Sequence, residues 1–298
     1  MSRIGPIDLS LSSALRRSLP YDHAMSKVTY AIVTVVVAGI VFGLVACGST
    51  GSQSTPTVVA TSTSSQSTAA SSSGGTPPEP ISAYCSVEVP EGIRQRQIKA
   101  GKDVVLNTGW LGAGDTVAVL LHQTDGDGMC GFLFYAAYLA EHGVRVVLMD
   151  FCDYGQSDCG DAQTELTAQV QAVTDAVRDQ GAKRVVLVGA SLGGSVAVSA
   201  AKRTKADAIV DLSGPADFGK MSIADNARSI TMPALFAFSD KDRSDLEEVR
   251  QNLKRMPAKT KIFLSYPAGH GYELLQDQNS GEFNPLADRV QRFVTQES

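Results

Sequence analysis

Histidine is scarce in this chain: four stand among 298 residues. Any chemistry that needs an imidazole must draw on His23, His122, His142 or His270. Cations are in deficit too, with 26 Lys and Arg against 31 Asp and Glu, a net charge of -5. A nucleic-acid footprint needs a basic patch, and an anionic membrane surface would not attract this balance. No dinucleotide fingerprint, P-loop or convincing metal-ligand spacing is present, so neither cofactor nor metal is expected. The cysteines lack a Cys-x-x-Cys pair, which makes a zinc site a poor reading. Apolar runs long enough to cross a membrane are missing, with one exception.

That exception is residues 28–46, which follow Met25-Ser26-Lys27 and end in Leu44-Val45-Ala46-Cys47. A positive start, an apolar centre and small residues before a cut site make a secretory signal. Leu-Val-Ala-Cys resembles the lipobox of bacterial lipoproteins. The resemblance implies acylation of Cys47 as the first mature residue. It also points to Met25 as the true start, because residues 1–24 are polar, patternless and suit no signal peptide. An uncleaved membrane anchor over the same run is the alternative. Either reading places the rest of the chain outside the cell membrane. Residues 48–80 are Ser, Thr, Gly, Ala and Pro with almost no charge, and cannot bury enough surface to fold. They read as a flexible tether, and 81–298 as the folded domain. Cys85, Cys130, Cys152 and Cys159 are an even number in an exported domain, so two disulfides are expected. Three pairings are open. In one of them Cys152 with Cys159 staples a local loop, and Cys85 with Cys130 pins the first segment to the rim of the site.

Within the domain, residues 93–100 and 104–110 read as strands separated by a turn. Residues 116–121, 144–149, 183–188, 208–212, 234–238 and 261–265 are short apolar runs of strand length. Residues 131–142, 164–180, 195–201, 245–256 and 282–295 read as helices; Leu166, Val170, Val173 and Val177 line one such face. Ser244 is a candidate N-cap for the 245–256 helix. The alternation predicts an α/β fold with a mostly parallel central sheet and helices on both faces. Ligands in such sheets bind beyond the carboxyl ends of the strands. His122, Ser191, Ser213, Asp240, Asp242 and His270 all fall at or just past those ends.

The valine-rich run up to Val188 leads straight into Gly189-Ala190-Ser191-Leu192-Gly193, and then into a helix of small residues. Strand, Gly-x-Ser-x-Gly, helix is the setting of a nucleophile elbow. The bland alternative is a tight turn with an idle serine. A serine hydroxyl needs a base, and the base needs an acid to orient it. His270 sits in Pro267-Ala268-Gly269-His270-Gly271 after the last strand, held by little except its side-chain contacts. That suits a base. The acid belongs after strand 234–238, where Asp240 and Asp242 both qualify and Asp217 is an outsider.

In the order Ser, Asp, His, with the elbow, residues 93–294 resemble the α/β-hydrolase family. The segment Asp150-Phe151-Cys152-Asp153-Tyr154-Gly155-Gln156-Ser157 is also similar to a stretch of that family. The resemblance implies attack by Ser191, proton shuttling by His270, and Asp242 as the acid, since Ser239 takes the place of the glycine in a Gly-x-x-Asp turn. It further implies an oxyanion hole built from the Leu192 N–H and a second donor, Gln123 or Thr124. Family members often read His-Gly where this chain reads His122-Gln123, and His122 is expected to brace that loop. Few residues separate strands 208–212 and 234–238, so no large cap domain is expected. The implied activity is that of a serine esterase acting on a small-molecule or lipid-like ester. A non-catalytic envelope-binding domain and an acyltransferase are the alternatives.

Overall fold

The computed structural model describes residues 78–125, 128–160, 165–277 and 279–297, the side chains of 243–245 excepted. The leader, Met25, Cys47 and nearly all of the tether lie outside the described residues.

The described residues open with a single helical turn, α1 (Ile81–Tyr84), then β1 (Arg94–Lys99), β2 (Val105–Leu111) and β3 (Thr116–Leu121). A 3-10 turn (Gly128–Phe132) runs into α2 (Leu133–Glu141), followed by β4 (Arg145–Met149) and α3 (Leu166–Asp179). Next come β5 (Arg184–Ala190), α4 (Leu192–Ala200) and β6 (Ala208–Leu212). A small hairpin, β7 (Asp217–Phe218) with β8 (Met221–Ser222), leads to α5 (Ile223–Asn226). The chain closes with β9 (Ala234–Ser239), α6 (Arg243–Arg255), β10 (Lys261–Tyr266) and α7 (Pro285–Thr295).

The large strands form one eight-stranded sheet in the order β1-β2-β4-β3-β5-β6-β9-β10. β1 and β2 run antiparallel to their neighbours, and the strands from β4 to β10 pair in parallel. β3 shows why. Five of its six residues are buried, because a parallel strand carries helices on both faces and must be apolar on both. Val117, Val119 and Leu121 join Val170 and Val173 of α3, Val196 of α4 and Val249 of α6 in one core. Ala118 and Leu120 point the other way, to Leu133 and Leu139 of α2 and Leu286 and Val290 of α7. Each fully buried Val or Leu contributes about 1.5–3 kcal/mol.

Helix starts differ from expectation in an informative way. α6 begins at Arg243, with Asp242 rather than Ser244 at the N-cap position. The Asp242 N–H bonds the Ser239 carbonyl, so the turn after β9 passes directly into the helix. At α7 the rule works plainly: the Asn284 side chain accepts the Leu286 N–H and Pro285 fills the first helical position.

Candidate active site

Ser191 stands between β5 and α4 with φ 48° and ψ -114°. A non-glycine residue is strained at positive φ and persists only where its surroundings fix it. Here the Ser191 N–H donates to the Leu212 carbonyl at 2.8 Å, and the Ser191 carbonyl accepts the Gly194 N–H at 2.8 Å. The two glycines of the motif are dictated by close approach. A Cβ on Gly189 would lie 2.0 Å from the Gly193 carbonyl oxygen, and one on Gly193 would lie 2.0 Å from the Leu121 carbonyl oxygen. Leu192 is the first residue of α4, where helix N–H groups have no intrahelical acceptor.

Asp242 is the carboxylate that meets the candidate base. Its Oδ2 accepts from the Ser213 hydroxyl at 3.0 Å and from the Ser239 N–H at 3.1 Å. Its Oδ1 faces Nδ1 of His270 at 3.4 Å. Asp240 is exposed and its carboxylate accepts the Ser265 hydroxyl instead. Asp217 is exposed on the β7–β8 hairpin. The structure therefore brings Asp242 to His270, and leaves Asp240 and Asp217 in other contacts.

His270 lies between Gly269 at φ 101° and Gly271 at φ 58°. The loop is pressed against the elbow. A Cβ on Gly271 would stand 1.9 Å from Gln123 Oε1 and 3.2 Å from the Ala190 Cβ, and Ala190 directly precedes Ser191. Tyr272 then docks over Gly131, where a Cβ would strike its ring at 2.4 Å.

On the oxyanion side, Gln123 is buried and its Nε2 donates to Asp125 at 3.0 Å, while Thr124 is exposed on the bend. His122 is fully buried. Its Nδ1 lies 2.7 Å from the Gln123 carbonyl, and its Nε2 lies 3.0 Å from the Phe151 N–H. The N–H can only donate, so Nε2 accepts, Nδ1 carries the proton, and the ring is neutral. Burial pushes its pKa below the usual value, against the pull of the Gln123 carbonyl and of Asp150. His122 thus ties the loop after β3 to the segment after β4.

Sequence reasoning missed the role of Asp150 at the head of that segment. It is fully buried and accepts from the Met129 N–H at 2.8 Å and Asn107 Nδ2 at 3.0 Å. Burial pushes its carboxyl up, with the Met129 and Asn107 hydrogen bonds opposing. The glycine at 155 was the available signal: a Cβ there would lie 2.1 Å from Asp150 Oδ2. Two disulfides frame the rim, Cys85–Cys130 and Cys152–Cys159, with Cα–Cα separations of 5.4 and 5.6 Å. Among the described residues, no group of three or more His, Cys, Asp or Glu is placed to hold a metal ion.

Residues 118–290 match the model of the alpha/beta hydrolase family. No curated protein sequence matches the chain. Solved structures with the same fold include an esterase of Pyrococcus furiosus, 17% identical over 68% of this chain and 90% of that one, TM-score 0.57. A monoacylglycerol lipase of Paleococcus ferrophilus is 15% identical over 65% of this chain and 99% of its own, TM-score 0.53. An esterase of Exiguobacterium antarcticum is 13% identical over 68% of this chain and all of its own (100%), TM-score 0.55. At these identities the likeness is one of fold.

Proposed function

The chain belongs to the alpha/beta hydrolase family, and from that premise we propose that it is a serine hydrolase that cleaves ester bonds through an acyl-enzyme on Ser191. The observation that carries the reading is the strained turn at Ser191, with its two obligatory glycines and the His270 loop pressed against it. A serine held at such a cost earns an explanation in chemistry. Esterases and a monoacylglycerol lipase among the structures of like fold are consistent with an ester substrate.

In this mechanism Nε2 of His270 takes the Ser191 proton as Oγ attacks the ester carbonyl. Asp242 accepts from Nδ1–H, fixes the tautomer and stabilises the imidazolium that forms. The oxyanion is bound by the Leu192 N–H at the helix start and by the N–H of Gln123 or Thr124. Collapse of the tetrahedral species expels the alcohol, which takes its proton from His270. Water then attacks the acyl group with His270 as base, and Ser191 is restored.

The segment between β6 and β9 holds only the β7–β8 hairpin, α5 and a 3-10 turn. We read the site as open, without a large cap, and suited to short or exposed esters. On the lipobox reading of Leu44-Val45-Ala46-Cys47, Cys47 carries a lipid anchor and the domain acts outside the cell membrane. Labelling with a small fluorophosphonate tests the central claim. The wild-type protein should be labelled and Ser191→Ala should not. Labelling that survives the substitution would move the nucleophile elsewhere.

A further inference from the structure

Among the described residues, three large apolar side chains stand well exposed: Val87, Phe218 and Phe283. Two of them flank one groove. It has a volume of about 310 Å³ and is lined by Val87, Glu88, Gly131, Phe134, Tyr272 and Gln276. That volume falls within the range of roughly 300–1,000 Å³ typical of small-molecule sites. Phe283 stacks on Phe134 with ring centroids 5.6 Å apart, and so extends the apolar wall.

The groove has fixed walls, and one of them carries Tyr272, two residues past the candidate base His270. One wall begins at Cys85, which the disulfide to Cys130 fixes to the 3-10 turn before α2. Val87 and Glu88 follow two and three residues later. The opposite wall is Tyr272, two residues past His270, seated on Gly131 and edge-on to Phe132 at 5.4 Å and Phe134 at 6.4 Å. Exposed apolar side chains gathered along one groove are unfavourable in water and are characteristic of ligand-binding grooves.

We propose that this groove receives the apolar alcohol portion of the ester. The inference rests on the roles of Ser191 and His270 given above. During ester cleavage the leaving oxygen must lie at Nε2 of His270, because that nitrogen supplies its proton. The alcohol therefore departs over the His270 side of the site, and Tyr272, two residues along the chain from His270, links that side to the groove. An alcohol carrying an aromatic or branched aliphatic group matches the Phe134 and Tyr272 rings.

Two ester series test this. One keeps an acetyl group and varies the alcohol from methyl to benzyl and branched alkyl; the other keeps methanol and varies the acyl chain. Val87→Trp should fill the groove mouth from an exposed position, and Phe134→Ala should widen its wall. The wild type should prefer bulky alcohols. Val87→Trp should lower kcat/KM for them by about tenfold or more, while methyl acetate turnover and fluorophosphonate labelling of Ser191 stay unchanged. Equal losses on every ester, a shift in the acyl series alone, or no change in either series would overturn the assignment. Absence of labelling in the wild type would instead overturn the hydrolase reading itself.

Discussion

Asp240 and Asp242 are two residues apart and meet different partners. Asp242 reaches His270, and two hydrogen bonds from Ser213 and Ser239 aim it there. Asp240 is spent on Ser265. Asp242→Asn should lower kcat by about 10⁴, as expected when an imidazole loses the group that fixes its tautomer. Asp240→Asn should stay near wild type; a reversal in ester kinetics would exchange the two roles. His122 makes a separate prediction. Burial keeps it neutral in the fold, while the unfolded chain protonates near the ordinary value of 6.5. The unfolded state then binds more protons below that value. Its contribution is present above 6.5 and is lost as pH falls toward the depressed folded value. The raised carboxyl of Asp150 acts with the opposite sign, starting from 3.8 and working upward. Urea unfolding at about pH 7.5 and about pH 5.5 should show stability falling with acid, with a shallower fall in His122→Asn. That variant should also lose about 1–3 kcal/mol at the higher pH, because the Gln123 carbonyl and Phe151 N–H lose their partner.

At the scale of elements, the contact between α4 and the end of β3 is a tight backbone-to-backbone constraint at the elbow. Gly193→Ala would drive a methyl into the Leu121 carbonyl. Backbone cannot yield as a side-chain tip can, so a loss at or above the usual 1–3 kcal/mol of overpacking is expected, measurable by denaturant unfolding. Much of this architecture was legible in the chain. Runs such as 116–121 and 184–190 are apolar on both faces, and only a covered parallel strand suits that pattern. The Gly-x-Ser-x-Gly motif marks its own steric need. What stayed hidden was of two kinds. The β7–β8 hairpin has two residues a strand, too short for any periodicity. The contacts that select Asp242, and those that make Asp150 a hub, link residues far apart in sequence, such as Asp150 to Asn107 and Asp242 to His270. No local pattern encodes them. The start of α6 was misplaced for a related reason: Asp242 sits at the N-cap position but turns its side chain to the site.

At the scale of the whole molecule, the disulfides differ in what they restrain. Cys85–Cys130 spans 45 residues and Cys152–Cys159 spans 7. Loop-closure entropy gives about 4 kcal/mol for the first and about 2 kcal/mol for the second. Replacing each pair by serine and comparing melting temperatures should rank them in that order. The same scale exposes a consequence of the two cores. The helix that Ser191 caps is packed in the layer with α3 and α6, whereas Leu274 and Leu275, just past His270, are anchored in the layer with α2 and α7. The helix behind the hydroxyl and the turn behind the imidazole therefore pack on opposite faces of the sheet. A slip of about an ångström between the layers would part them while both remained dry inside, and such misplacement alone can cost about a hundredfold in rate. On warming, ester turnover should fade several degrees before the circular-dichroism signal does; coincident midpoints would mean that the two sides move as one.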